Sequence, residues 1–138
     1  MLSIFNSVFL LMLLAWFAVL ALIGLSIKGA VIAERGVFDL LTTVWFVLFA
    51  GCVILFFVRP NIGQYVCAGF MVIWLLVQSI NFIPPSPKKA AGYNNTFKNT
   101  HHIIPPSDKI AIPDTGHLIL LSLLVISLVF MVATIILA

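Results

Sequence analysis

The chain has 138 residues, which is one domain's worth. Of these, 63% are apolar and 8% charged, against about 45–50% and about a quarter in soluble domains, so they cannot build the polar shell of a water-soluble globule. The net charge of +3 comes from residues in connectors between apolar runs, with no arginine-rich patch, which argues against nucleic-acid binding and for membrane topology.

Four stretches carry no charge: 1–27, 40–58, 60–87 and 115–138. Crossing a hydrocarbon core about 30 Å thick takes about 20 mostly apolar residues in a helix, and each stretch is long enough. Backbone polar groups cannot be left open in lipid, so these stretches are expected to be helices and not isolated strands. The expected fold is an all-α integral membrane protein, a single domain over 1–138. Its four transmembrane helices span about 2–27, 40–58, 62–83 and 117–138, and a long Pro-rich connector, 84–116, precedes the last.

The first stretch reads as a retained helix. It lacks a basic n-region, is about twice as long as a secretory h-region, and shows no A-x-A site before the first charge. Asp39, Asn61 and either Asp114 or Thr115 are placed to cap the second, third and fourth helices. Only residues 59–63 separate the second helix from the third, which predicts a tight antiparallel hairpin. Lys28, Arg35, Lys88, Lys89, Lys98 and Lys109 fall in the first and third connectors, and Arg59 alone in the second. That bias predicts connectors 28–39 and 84–116 on the cytoplasmic side and both termini on the other. The sequon Asn94-Asn95-Thr96 would then face away from the glycosylating compartment, so it is read as fortuitous.

The connector 84–116 holds most of the prolines and two of the three histidines, and His117 follows it directly. Ile83-Pro84-Pro85-Ser86-Pro87-Lys88 is echoed by Ile104-Pro105-Pro106-Ser107-Asp108-Lys109, and each Pro-Pro pair favours stiff polyproline II geometry. One reading has the prolines only ending the third helix and returning the chain to the fourth. The other makes the segment an ordered docking loop for a partner, with Pro84, Pro85, Lys88, Lys89, His101, His102, Pro105, Pro106 and Lys109 as its contact residues, since connectors beyond about 12–15 residues are commonly functional. His101, His102 and His117 with Asp108 and Asp114 raise the question of a metal. Adjacent histidines in an extended segment point to opposite sides, and no H-x-x-x-H or C-x-x-C spacing occurs, so no metal site is expected. Cys52 and Cys67 read as small buried hydrophobes.

The expected spans contain no Asp, Glu, Lys or Arg, and His117 stands only at the mouth of the last. A proton-coupled carrier would lack a coupling carboxylate, and neither a catalytic set nor a haem-ligating histidine within the bundle is present. No enzymatic activity and no cofactor are expected. The polar residues within the spans, among them Asn6, Ser7, Thr42, Thr43, Ser122, Ser127 and Thr134, read as interhelical hydrogen-bonding groups. Gln78 and Asn81 near the end of the third helix are placed to contact a lipid or quinone headgroup. Trp16, Trp74 and the phenylalanines of the second helix lie away from the interfacial belt and read as packing residues. The small residues Ala15, Ala18, Ala21 and Gly24 recur every three positions, which drifts around the helix and makes no single GxxxG face.

The functional expectation is a non-catalytic accessory subunit of a larger membrane complex, of respiratory, photosynthetic or membrane-oxygenase type. Its partners would be the bilayer and other integral membrane subunits. The alternatives are a stand-alone binding protein, such as a toxin-immunity protein or regulator, and a channel or carrier. Toxin sensitivity of a deletion strain would mark the former, and flux in liposomes the latter.

Overall fold

The computed structural model describes residues 1–33, 40–80, 87–105 and 110–138. Helix α1 covers Leu2–Ala18 and runs on as one π-helical turn, Val19–Ile23. A β-hairpin follows, β1 Leu25–Ile27 and β2 Ala30–Ala33. Then come α2 (Leu40–Val58), α3 (Pro60–Ile80), a short α4 (Pro87–Thr96) and α5 (Thr115–Leu137). The four long helical segments, Leu2–Ile23, Leu40–Val58, Pro60–Ile80 and Thr115–Leu137, are each long and apolar enough to cross a membrane.

These four pack as an antiparallel bundle in which α1 touches α2 and α5, and α3 touches α2 and α5. Each buries one stripe: Leu10, Leu13, Phe17 and Ala21 from α1, Phe49, Val53 and Phe56 from α2, Cys67, Met71 and Trp74 from α3, Leu120, Leu124 and Met131 from α5. Spacings of three and four residues put each set on one helical face. Aromatic rings join the stripes. Phe17 lies 4.6 Å from Trp74, and Trp74 lies 5.2 Å from Phe49 and 5.9 Å from Phe70. At the other end, Phe130 of α5 stacks between Phe5 and Phe9 of α1, and the buried Asn6 donates to Thr134 Oγ1 at 2.7 Å. Cys67 is fully buried, and its thiol donates to the Cys52 carbonyl at 3.2 Å.

The structure revises several boundaries. α1 stops at Ile23 and not near residue 27, because Gly24 turns the chain with φ 75° and ψ 159°, a region essentially restricted to glycine. The hairpin that follows closes through Lys28 (φ 49°) and Gly29 (φ 85°), and Ile27 pairs with Ala30. Two positive-φ residues between paired strands are the I′ signature, the turn that matches strand twist. The fold is therefore helical with a small strand pair. α3 begins at Pro60 and not at 62, so Asn61 lies inside it instead of capping it; proline suits the first helical position, where no N–H partner is needed. Arg59 alone separates α2 from α3. The tight turn requires Gly63, whose missing Cβ would stand 2.3 Å from the Phe56 Cα. The expected Asp39 cap lies outside the described residues.

The connector before α5 is not extended throughout. A helix, α4, is described from Pro87, and proline is tolerated in the first turn of a helix. The helix survives its short length through tertiary contacts. Ala90 is fully buried, and the Asn94 side chain donates to the Ile110 carbonyl and accepts from the Ile112 N–H, both at 2.9 Å. The side chain of the sequon asparagine is thus committed to holding the returning chain.

Candidate functional site

The hairpin, α4 and the chain up to α5 meet at one end of the bundle and form a cap. His101 is the hinge of this assembly. Its N–H donates to the Val31 carbonyl of β2 at 2.6 Å, and its carbonyl accepts from the Thr115 N–H at 2.8 Å. Gly116 lets α5 start close under β2, since a Cβ there would stand 2.7 Å from the Ile32 carbonyl oxygen. The Trp16 indole N–H donates to the Gly116 carbonyl at 3.0 Å. α5 therefore begins level with Trp16, and α1 rises roughly 10 Å above that level, at about 1.5 Å per residue to Ile23. The cap sits on that ledge.

At the centre of the cap is Asp114, 2% exposed and, of the two capping residues the sequence offers, the N-cap of α5. Its Oδ1 accepts from the His117 backbone N–H and from His117 Nδ1, each at 2.8 Å. Its Oδ2 lies 2.7 Å from the Thr100 hydroxyl, which is equally close to the Phe97 carbonyl. A carboxylate can only accept, so His117 Nδ1 carries a proton, and Nε2 is an acceptor when the ring is neutral. Burial pushes the Asp114 carboxyl up, but the hydrogen bond and charge of His117, the Thr100 hydroxyl and the His117 N–H together outweigh it, and the carboxyl lies below its ordinary value. The dipole of α5 acts in the same direction. Tyr93 of α4 is affected oppositely: burial, then the Asp114 charge, push its phenol up.

Beneath this cluster lies a cavity of about 380 Å³. Its roof is Phe97, Thr100, Asp114 and His117, and its floor is Phe17, Trp74 and Leu120 in the bundle core. Thr42 and Trp45 of α2 and Val77 and Gln78 of α3 form its sides. Among the described residues, the Gln78 amide and His117 Nε2 make no hydrogen bond, and the buried Trp45 Nε1 has no partner. Phe97 meets the His117 ring edge to face at 4.6 Å and closes one side of the roof.

Of the residues expected at a docking loop, the structure describes Lys88, Lys89, His101, His102 and Pro105. Lys88 and Lys89 are exposed on α4, and Pro105 is exposed beyond the cap. His101 and His102 do turn to different partners, His101 Nδ1 to Thr115 Oγ1 at 2.7 Å and His102 Nδ1 to the Thr100 carbonyl at 2.8 Å. Pro84, Pro85, Pro106, Lys109, Asn81 and Asp108 lie outside the described residues. Among the described residues no three His, Cys or Asp side chains gather as metal ligands. Sequence reasoning placed Gln78 near a headgroup but missed Trp45, Thr100 and the Asp114–His117 pair as its neighbours. The i, i+3 spacing of Asp114 and His117 at a helix start was the available signal. Comparisons with protein-family models, curated proteins and solved structures yield no match to this chain.

Proposed function

We propose that the four apolar helices cross a bilayer and that the chain is a non-catalytic subunit of a larger membrane assembly, which it joins through its cap. The observation that supports this is a set of exposed isoleucines outside the four long helices: Ile27 on the hairpin, Ile103 and Ile104 after His102, and Ile110 before α5, with Ile103 66% exposed. Apolar side chains held out by a hydrogen-bonded framework are costly in water and favour a partner surface. The lysines on the same cap, Lys28, Lys88, Lys89 and Lys98, suit a polar rim around that contact and, by the positive-inside rule, a cytoplasmic cap with both termini on the opposite side.

The test is gentle purification through a C-terminal tag with mass spectrometry of what accompanies the chain. Stoichiometric recovery of one larger membrane assembly, lost in an Ile103→Asp/Ile104→Asp variant that is still folded, is the expected result. Recovery of the chain alone, or only with copies of itself, would overturn the proposal and favour a stand-alone regulator or immunity protein.

A further inference from the structure

We propose that the capped cavity binds a membrane-soluble molecule with a neutral, planar, oxygen-bearing head, of the quinone and quinol class. This does not depend on the chain's membership of an assembly.

Three properties of the cavity select that chemistry. Its walls are aromatic: Phe17 and Trp74 below, Trp45 at the side and Phe97 above. Rings so arranged favour a flat head that can stack or meet ring edges. Its unmatched polar groups are mostly donors. The Trp45 indole donates only, and the Gln78 amide donates twice and accepts. Both call for an acceptor oxygen, while His117 Nε2 accepts from a hydroxyl when the ring is neutral. The reduced head, with hydroxyls that both donate and accept, meets all three groups, and the oxidised head meets the two donors. The Trp45 indole N–H is buried without a partner, which is costly, so an oxygen brought within its reach is favourable.

The electrostatics exclude charged heads. Among the described residues no lysine or arginine lines the cavity, and Asp114 stands in its roof as a carboxylate. A phosphate or fatty-acid head would meet that charge with no lysine or arginine among the described lining residues to balance it. A lipophilic cation would find the Asp114 oxygens already engaged by His117 and Thr100, and would offer no acceptor to Trp45 or Gln78. The volume of about 380 Å³ falls within the range of small-molecule sites, about 300–1,000 Å³.

The experiment uses the full chain in lipid nanodiscs, titrated with decylubiquinone while tryptophan fluorescence is followed. Saturable quenching is expected, competed by decylubiquinol and not by n-decanol. Gln78→Leu and Trp45→Phe should each raise the half-saturation concentration about tenfold, the effect of losing one buried hydrogen bond. Trp74 remains in the cavity floor as reporter in both variants. Gln64→Leu, at the opposite end of α3, should leave it unchanged. Thermal stabilisation of the unsubstituted protein by decylubiquinone but not by n-decanol is a second readout that needs no variant. Linear quenching identical in all variants, with no stabilisation, would reduce the effect to partitioning and overturn the proposal. Displacement of the quinone by tetraphenylphosphonium, with affinity indifferent to Gln78→Leu, would overturn it in favour of a lipophilic-cation site.

Discussion

Removing the Asp114 carboxylate tests whether the cap is fastened to the bundle through the start of α5. Asp114→Ala deletes the N-cap bond to the His117 N–H, worth about 0.5–2 kcal/mol. It also deletes the charge-assisted bond to the His117 ring, about 1.5–3 kcal/mol, and leaves the Thr100 hydroxyl to the Phe97 carbonyl alone. These terms share one side chain and do not add fully, so a loss of about 3 kcal/mol is expected. Asp114→Asn keeps the cap, because an asparagine oxygen accepts the same N–H, and its amide can donate to Thr100 while that hydroxyl turns to Phe97. Only the charge facing His117 is lost, at about 1 kcal/mol. The assay is unfolding by SDS titration in mixed micelles, following ellipticity. Equal losses for the two substitutions would refute the capping argument, and a loss below about 0.5 kcal/mol for Asp114→Ala, the level of an ordinary surface substitution, would refute the anchoring role altogether. The pH dependence carries a sign. A carboxyl held below its ordinary value gives a contribution fully present above that value, about 3.9, and lost as pH falls through the folded value. The unsubstituted chain should therefore lose its advantage over Asp114→Asn only in strong acid, and a loss near neutral pH would contradict the assignment.

Other expectations follow from close approaches and strained backbone. Gly63→Ala places a methyl against the Phe56 backbone and should cost about 1–3 kcal/mol, whereas Gly69→Ala, with nothing within 4 Å, should be neutral or gain up to about 1 kcal/mol of helix propensity by the same unfolding assay. Gly24→Ala forces a side chain into a glycine-only region and should destabilise by about 1–3 kcal/mol, read as lower unfolding midpoints and easier proteolysis of the hairpin. Thr134→Val strips the buried Asn6 amide of its hydrogen-bond acceptor and should cost about 0.6–1.7 kcal/mol, while Asn6→Leu, which removes an amide whose Oδ1 is already unpaired, should cost less. The reverse order would show that the Asn6 amide does not depend on this bond.

The sequence by itself determined where the long helices lie. A run of apolar residues long enough to span a bilayer is a property of neighbours in the chain, and Leu40–Val58 coincides with its expected span. The antiparallel α2–α3 turn was legible for the same local reason, and so was the Asp114 cap, which needs only an acceptor three residues before a free N–H. Which face of each helix turns inward was not legible. α1, α2 and α5 are apolar all round, so Leu10 in the core and Leu11 on the surface look alike in the sequence. The drift of the small residues shows the same limit: Ala21 is buried, while Ala15, two turns earlier, is exposed. Helix α4 was hidden because its support is distant, Asn94 holding Ile110 and Ile112. The hairpin was missed because Gly24, at the end of an apolar run, is a break only if the chain there adopts a positive φ. The cavity was least visible of all, since Phe17, Trp45, Gln78 and His117 come from four helices and share a wall only after the bundle closes. Local sequence decides helix or turn, but a site made from several elements exists only in the tertiary structure, where non-local packing sets which side chains find partners and which are left without one.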